Sequence, residues 1–282
     1  MEILNGKELK KKKLLELKEQ VLKLSQPLGF AVVQVGHNEA SNVYIRQKEK
    51  MAEQLGYEFY HISLEEDILE DELIQTIQEL NEDEKVHGIL VQMPLPSHID
   101  AKKVQDAVNP EKDVDGLNAL NSGKLLKQEE GLLPCTPSGI ITLLHAYQIP
   151  LCGRHAVVVG RSELVGKPLA LLLLNEDATV TICHSKTEHL EQYTKMADIL
   201  ISAVGKKDFI RADMVKEGAV VIDVGMNRVD GKLYGDVKYD EVAPYCSYIT
   251  PVPGGVGPMT VLELGENVYR AHQKQLKKTF DR

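Results

Sequence analysis

The stretch Val157–Pro168, VVVGRSELVGKP, decides the fold of the second half of the chain. Its three valines predict a buried strand, Gly160 a tight turn, and the residues from Ser162 onward the start of a helix. Ser162 suits a helix cap, and Pro168 fits an early helical turn. A glycine here lets the backbone approach a pyrophosphate, which the free N–H groups of the helix end bind. The pattern is not GxGxxG, because Ser162 replaces the second glycine and Gly166 falls one place late, so an ordinary βα turn remains an alternative.

Apolar runs and helical periodicity alternate on both sides of this stretch. The predicted strands are Phe30–Val35, Tyr57–Ser63, His87–Gln92, His155–Val159, Thr179–His184, Ile199–Val204, Ala219–Val224 and Tyr248–Val252. The predicted helices are an amphipathic start marked by Leu14, Leu17, Val21 and Leu24, then Ala40–Leu55, Leu69–Leu80, Ser138–Tyr147, Leu164–Leu174 and Val261–Lys278. Strands separated by helices imply an α/β protein built from parallel βαβ units. The turn-rich segment Pro94–Leu133 is expected to contain a domain boundary.

Composition narrows the class of protein. The chain has 282 residues, 43% hydrophobic and 27% charged, with a formal net charge of -9. This length suits two domains, and the negative charge argues against nucleic acid as the main partner. No apolar run approaches the ~20 residues of a membrane-spanning helix, and the lysine-rich start does not resemble a secretory signal. The cysteines Cys135, Cys152, Cys183 and Cys246 form no CxxC pair, which favours reduced thiols, a cytoplasmic location and no metal site.

The end of the strand after the glycine turn bears on the choice of cofactor. NAD-selective sites place an acidic residue there for the ribose 2′-hydroxyl. This chain has His184-Ser185-Lys186-Thr187 instead. A hydroxyl and a cation, with Arg161 nearby, suit a 2′-phosphate that a carboxylate would repel. The sequence therefore favours NADP over NAD, with a solvated polar loop as the alternative.

Two further segments suggest a second part of the site. The loop Pro251–Pro258, PVPGGVGP, follows a buried strand, and its glycines permit close approach to a ligand. Ser41, Tyr44 and Lys48 are spaced by three and four and share one helix face, which is typical of an ordinary polar stripe. Gln92 ends an apolar strand, at the edge where sites on parallel sheets form.

Eight strings, in order along the chain, closely resemble the bifunctional methylenetetrahydrofolate dehydrogenase/cyclohydrolase family. They are SNVYIRQK, GILVQMPLP, NPEKDVDGLN, PCTPSG, VVGRSELVGKP, HSKT, VIDVGMNRVDGKLYGDV and TPVPGGVGPMT, and they span Ser41 to Thr260. Ser138 and the continuation Leu262-Glu263-Leu264 depart from the usual family residues. Neither departure touches the residues expected to carry the chemistry.

The resemblance implies two α/β domains with the active site in the cleft between them. The first, residues 1–120, would bind folate and would be completed by the returning last helix, 261–282. The second, residues 121–260, would be a Rossmann-type domain that binds NADP. The substrates would be polyglutamylated tetrahydrofolate derivatives, and the enzyme would be a homodimer.

Site residues follow from the resemblance. Lys48 would be the catalytic lysine, assisted by Tyr44 and Gln92, and Asp115 would bond the pterin ring. The expected catalytic residues are Lys48, Tyr44, Gln92 and Asp115, which also bind substrate together with Pro253 and Gly254. The expected cofactor-binding residues are Gly160, Arg161, Ser162, Val165, Gly166, Pro168, His184, Ser185, Thr187, Gly225, Gly257 and Thr260.

These residue types suit the chemistry. Hydride transfer to a nicotinamide mainly needs orientation, whereas hydrolysis of the methenyl product also needs proton transfer. A lysine in a dry cleft can have its pKa lowered towards neutrality. Two rival functions are another two-domain dehydrogenase, acting on an amino or hydroxy acid, and a non-catalytic nucleotide-sensing module. The first leaves the Tyr44–Lys48 pair and the KDVDG segment, Lys112–Gly116, without a role, and the presence of Lys48, Gln92 and Asp115 argues against the second.

Overall fold

The computed structural model describes residues 1–280 and divides into two compact units. The three-stranded unit comprises Lys12–Cys135 and the residues from Val261 onward. The six-stranded unit comprises Met1–Lys11 and Thr136–Thr260. Each unit is built on a parallel sheet. The predicted α/β class is therefore confirmed.

The three-stranded unit follows the predicted alternation closely. The helix α1 (Gly6–Val21) enters this unit at Lys12. The following elements are β2 (Gly29–Val35), α2 (Glu39–Leu55), β3 (Glu58–Leu64), α3 (Glu70–Glu82) and β4 (Val86–Val91). The strands are parallel in the order β3-β2-β4. Every residue of β2 and β4 is buried, which explains their continuous apolar runs.

The turn-rich segment after β4 contains two helices that periodicity did not predict. These are α4 (Ala101–Ala107) and α5 (Ala119–Leu126). Asp100 caps α4 by accepting from the backbone N–H groups of residues 102 and 103, and Asn118 caps α5 by accepting from that of residue 120. The turn-forming residues therefore start helices here, as Asp and Asn do at N-caps.

The six-stranded unit contains the predicted Rossmann-type sheet. Its strands are β1 (Glu2–Ile3), β5 (His155–Val159), β6 (Thr179–Cys183), β7 (Ile199–Ser202), β8 (Ala219–Asp223) and β11 (Cys246–Ile249). They run parallel in the order β1-β11-β8-β7-β5-β6. The chain leaves β5 for β6 on one side and returns to β7 on the other. This change of direction is the switch point at which open α/β sheets bind ligands.

Helices and one small hairpin complete this unit. They are α6 (Cys135–Ala146), α7 (Gly166–Asn175), α8 (Leu190–Thr194), α9 (Tyr239–Val242) and the antiparallel pair β9 (Asn227–Val229) and β10 (Lys232–Tyr234). The hairpin was not predicted from the sequence. Its turn residues Asp230 and Gly231 both have positive φ, as a tight two-residue connection requires.

The compact units differ from the expected domain ranges in two places. Residues 121–135 lie in the three-stranded unit, where Asn121 donates to the carbonyl of Pro110 and to Asp113. Residues 1–11 lie in the six-stranded unit, because β1 pairs with β11. The last helix, α10 (Val256–Phe280), passes into the three-stranded unit at Val261. No helix in the described part of the chain is long and apolar enough to cross a membrane.

Candidate active site

Lys48 and Gln92 meet at the carboxyl edge of the three-stranded sheet. Lys48 lies on α2, and its Nζ donates to Gln92 Oε1 at 2.6 Å. Gln92 directly follows β4, and its backbone N–H donates to the carbonyl of Val33 at 2.8 Å. Its side-chain Nε2 donates to the carbonyl of Met93 at 2.7 Å, which turns Oε1 towards the lysine. The two residues were predicted together, and the structure brings them together.

The environment of Lys48 disfavours its charged form. Burial lowers the pKa of the Lys48 ammonium, while the nearby Asp115 and Cys135 act in the opposite direction. Burial raises the pKa of Asp115 to about 6, with Lys48 opposing the rise and Asp113 adding to it. Burial also holds the pKa of the Cys135 thiol well above its ordinary value, so that this cysteine stays protonated. A lysine with a lowered pKa loses its proton more easily than an ordinary lysine, as a proton-transfer group requires.

The two carboxylates of the KDVDG turn are in different situations. Asp113 accepts from the backbone N–H groups of Gly116 and Asn118 at 3.1 and 2.9 Å, and from Asn121 Nδ2 at 2.9 Å. Asp113 therefore shapes the turn. Asp115 accepts none of these bonds, and its charge interacts with Lys48. This division leaves Asp115 as the carboxylate available to a ligand.

The rest of the helical stripe is less closely tied to the lysine. Ser41 is 5% exposed and Tyr44 is 43% exposed. Over residues 1–280, no hydrogen bond described in the structure joins Tyr44 to Lys48. The expected assistance of Tyr44 therefore stays a prediction.

The glycine turn after β5 has the close packing that a dinucleotide site needs. Gly160 has φ +133°, and a Cβ there would lie 2.4 Å from the carbonyl oxygen of Ala203. A Cβ on Gly166 would lie 2.2 Å from the carbonyl oxygen of Gly160. Ser162 is not the N-cap as expected, because the helix begins at Gly166 and its N-cap is Val165; its Oγ instead accepts from the N–H groups of Val165 and Gly166 at 3.1 and 3.3 Å. Only glycine fits where strand, turn and helix meet this closely.

The residues expected at the 2′-phosphate lie at the ends of neighbouring strands. Arg161 follows β5 and is exposed, and Ser185 follows β6, the strand paired with β5. Thr187 Oγ1 accepts from the His184 N–H at 2.9 Å, and the Thr187 N–H donates to the His184 carbonyl at 2.8 Å. These two bonds fold the HSKT segment into a turn that leaves Ser185 exposed. The residues fit a phosphorylated ribose, and no acidic side chain precedes Glu188 in this segment.

The prediction of a loop over Pro251–Pro258 is wrong for the second half of this range, because α10 begins at Val256. Pro258 is accommodated in the first turn of this helix, where a missing N–H costs nothing. Gly254 has φ +110°, and its carbonyl accepts from the Lys7 N–H at 2.9 Å. Pro253 and Gly257 are exposed, and Thr260 Oγ1 lies 2.9 Å from Thr136 Oγ1.

A pair of buried aspartates, missed in the sequence, organises the loops after β7 and β8. Asp236 accepts from the backbone N–H groups of residues 204, 205 and 206 at 2.7, 3.2 and 2.8 Å. Asp223 accepts from those of residues 225, 236 and 237 at 2.9, 2.8 and 2.9 Å. A Cβ on Gly225 would lie 2.2 Å from Asp236, so this glycine is required by packing. An acidic residue closing the apolar run 219–223 was the available signal.

These features define a class: α/β proteins in which one unit binds a dinucleotide and another carries a lysine–amide–carboxylate site. No group of three or more potential metal-ligating side chains occurs among the described residues. Two protein-family sequence models match the chain. The tetrahydrofolate dehydrogenase/cyclohydrolase catalytic domain matches residues 4–115, and the NAD(P)-binding domain of the same family matches residues 134–276. The chain therefore belongs to the tetrahydrofolate dehydrogenase/cyclohydrolase family.

Individual relatives agree with this membership over nearly the whole chain. The bifunctional protein FolD of Methanospirillum hungatei is 54% identical over 265 residues, 94% of this chain and 95% of that protein. The crystal structure of the bifunctional enzyme FolD from Campylobacter jejuni has a TM-score of 0.95 and 47% identity, covering 97% of this chain and 99% of that one. The Trypanosoma brucei enzyme, solved with NADP and an inhibitor, has a TM-score of 0.92 and 36% identity, covering 97% and 98%. The predicted family and its paired dehydrogenase and cyclohydrolase functions are confirmed.

Proposed function

We propose that this enzyme oxidises 5,10-methylenetetrahydrofolate with NADP and hydrolyses the methenyl product to 10-formyltetrahydrofolate, with Lys48 as the proton-transfer group of the second step. The observation that carries the proposal is the 2.6 Å bond from Lys48 Nζ to Gln92 Oε1 in a site where burial lowers the lysine pKa. The homodimer, the polyglutamylated substrates and the cytoplasmic location stay predictions.

The cofactor assignment is supported by the end of β6 and the glycine turn. A bound nicotinamide supplies a hydride acceptor for the one-carbon unit. Gly160 packs against the carbonyl of Ala203, and the Ser162 hydroxyl accepts from the Val165 N–H just before the helix, whose free N–H groups suit a pyrophosphate. Arg161 and Ser185 offer a cation and a hydroxyl to a 2′-phosphate. Their exposure leaves both side chains accessible to a ligand.

Hydrolysis requires proton transfers that hydride transfer does not require. Water adds to the methenyl carbon and loses a proton, and the ring nitrogen gains one as its bond to that carbon breaks; the remaining hydroxyl proton leaves to solvent as the formyl C=O forms. Lys48 can accept the first proton and give the second because burial brings its pKa down. Gln92 holds the lysine without adding charge, since its own amide is oriented by Met93. Asp115 offers a carboxylate to the paired donors of the pterin edge.

The test replaces Lys48 with Met, which keeps the side-chain length and removes the proton carrier. We expect the Lys48→Met variant to lose cyclohydrolase activity by a factor of about 100 or more, the usual range for a general acid–base group. Dehydrogenase activity should fall less, so methenyl-folate accumulates while reduced cofactor appears. Absorbance of both products, with NADP and with NAD, follows the two steps.

Lys50 supplies the matched control. It lies two residues away on α2 and is exposed, so the Lys50→Met variant should keep both activities. If the Lys48→Met variant hydrolyses added methenyl-folate at the wild-type rate, after correction for spontaneous hydrolysis, Lys48 is not the proton carrier. A clear preference for NAD in the same assays contradicts the cofactor assignment.

A further inference from the structure

The side chain of Asn267, on α10, donates hydrogen bonds to two backbone segments, one of which contains the turn at Asp115. Asn267 is fully buried. Its Nδ2 donates to the carbonyl of Val114 at 2.9 Å and to that of Leu133 at 2.8 Å. The Cys135 thiol donates to the same Val114 carbonyl at 3.2 Å. One amide therefore joins two backbone segments whose acceptor residues, Val114 and Leu133, are 19 positions apart in the sequence.

These two carbonyls fix the residues next to Asp115. Val114 precedes the aspartate, and Gly116 follows it with φ +72°. A Cβ on Gly116 would lie 2.4 Å from the carbonyl carbon of Leu133, so the two backbone segments are in direct contact. Asn267 holds one carbonyl from each segment. The backbone that carries Asp115 is thus fixed from both sides.

The orientation of the Asn267 amide is set along its own helix. Arg270 Nη1 donates to Asn267 Oδ1 at 3.2 Å and to Glu263 Oε2 at 3.2 Å. Glu263 is 2% exposed. These three residues are spaced by four and three, so they share one face of α10. With Oδ1 accepting from arginine, Nδ2 is the end that faces the two carbonyls.

We propose that Asn267 is a positioning residue for folate binding, which holds the turn so that the Asp115 carboxylate is presented beside Lys48. The proposal rests on the folate-binding role of Asp115 given above. Removing the amide leaves the Leu133 carbonyl without a donor and the Val114 carbonyl with only the weak Cys135 thiol donor, and it frees the turn to move. A misplaced carboxylate binds the pterin donors less well, so the loss appears in folate binding before it appears in the chemical step.

The experiment measures the Asn267→Ala variant alone and in an Asp115→Ala background. In the wild-type background we expect the folate KM to rise about tenfold, with kcat reduced less and NADP affinity unchanged. In the Asp115→Ala background Asn267→Ala should add almost nothing, because the group it positions is absent. Asn267→Ser, which retains one donor, should recover part of the affinity and covers the case in which the alanine variant does not fold.

Gln275 is the matched control. It also lies on α10, and its Nε2 donates to the carbonyls of His87 and Glu111 at 3.1 and 3.3 Å. Gln275→Ala should lower the melting temperature about as much as Asn267→Ala and leave the folate KM within about twofold of wild type. An unchanged folate KM in both Asn267 variants overturns the proposal, as does a loss of equal size in the two backgrounds. If Asp115→Ala itself binds folate normally, the assignment of Asp115 fails instead.

Discussion

Asp113 and Asp115 stand two positions apart in one turn, and their side chains have different surroundings. Three hydrogen bonds make Asp113 part of the turn itself. Asp115 has a pKa of about 6, raised chiefly by burial. A carboxyl whose pKa is higher in the folded protein than in the unfolded chain binds its proton more tightly when folded. Its ionisation therefore costs stability at any pH above that folded pKa.

We expect the Asp115→Asn variant to lose folate affinity and to be at least as stable as wild type at pH 8. The gain in stability should shrink as the pH falls from about 6 to about 4, where the wild-type carboxyl becomes neutral. Melting temperatures at pH 8 and pH 4, measured beside the folate KM, give both quantities.

Asp113→Asn provides the comparison for this prediction. Its new amide would face the N–H donors of Asn118 and Asn121 that now meet an oxygen, so this variant should be destabilised at both pH values. A drop in melting temperature of similar size for Asp115→Asn would show that Asp115 also shapes the turn.

At the scale of elements, β4 and α10 meet through two buried histidines. His87 and His272 are each 5% exposed, and their rings pack edge to face with centroids 4.7 Å apart. His87 Nδ1 accepts from the Gly29 N–H at 2.9 Å. Burial lowers the pKa of His87 to about 4, with His272 and Lys112 adding to the fall and Asp83 opposing it. Burial also lowers the pKa of His272.

The contact between β4 and α10 should therefore weaken in acid. The unfolded chain binds protons on these histidines below about pH 6.5 and the folded protein does not, so stability falls as pH decreases from about 6.5 towards 4. The His87→Asn variant retains an acceptor for the Gly29 N–H but cannot titrate. Its melting temperature should drop less between pH 7 and pH 5 than that of wild type.

His98, which is exposed, is the control for this pH dependence. His98→Asn should follow the wild-type curve. Parallel curves for His87→Asn and wild type would mean that other groups govern the acid sensitivity.

Elements with a strong local pattern were predicted well, and those without one were not. The strand at His155–Val159 matches its prediction at both ends, because a run of buried β-branched residues ends at a glycine. β1 has two exposed residues and exists only through its pairing with β11. No local pattern can indicate such a strand.

The site shows the same limit. Lys48, Gln92 and Asp115 were predicted because each lies in a recognisable string of sequence. Asn267 was not, because it is an ordinary polar position on a long helix. It bonds to carbonyls that lie 153 and 134 positions away along the chain. Side-chain to backbone bonds of this range leave no trace in a single sequence.

At the scale of the whole molecule, the three-stranded unit is built from two separate parts of the chain. Residues from Val261 onward complete a unit that otherwise ends at Cys135. Leu262, Leu264 and Val268 are at most 3% exposed. Burying side chains of this kind contributes about 1.5–3 kcal/mol each. Their sum is comparable with the whole stability of a typical domain, about 5–15 kcal/mol.

We therefore expect residues 12–135 alone not to fold cooperatively, and the same fragment joined to residues 261–280 by a flexible Gly/Ser linker to fold. The added helix returns the acceptor carbonyl of Gly265 to the Tyr57 hydroxyl, at 2.9 Å in the structure, and the Asn267 amide to its two carbonyls. Circular dichroism during thermal unfolding distinguishes a sigmoidal transition from a gradual one. Val268→Asp in the joined fragment is the control, since it buries a charge on the same helix without changing its length and should abolish the transition. A cooperative transition at the same temperature for residues 12–135 alone would show that the last helix is dispensable for this unit, and the stabilising contacts would then have to lie within the first 135 residues.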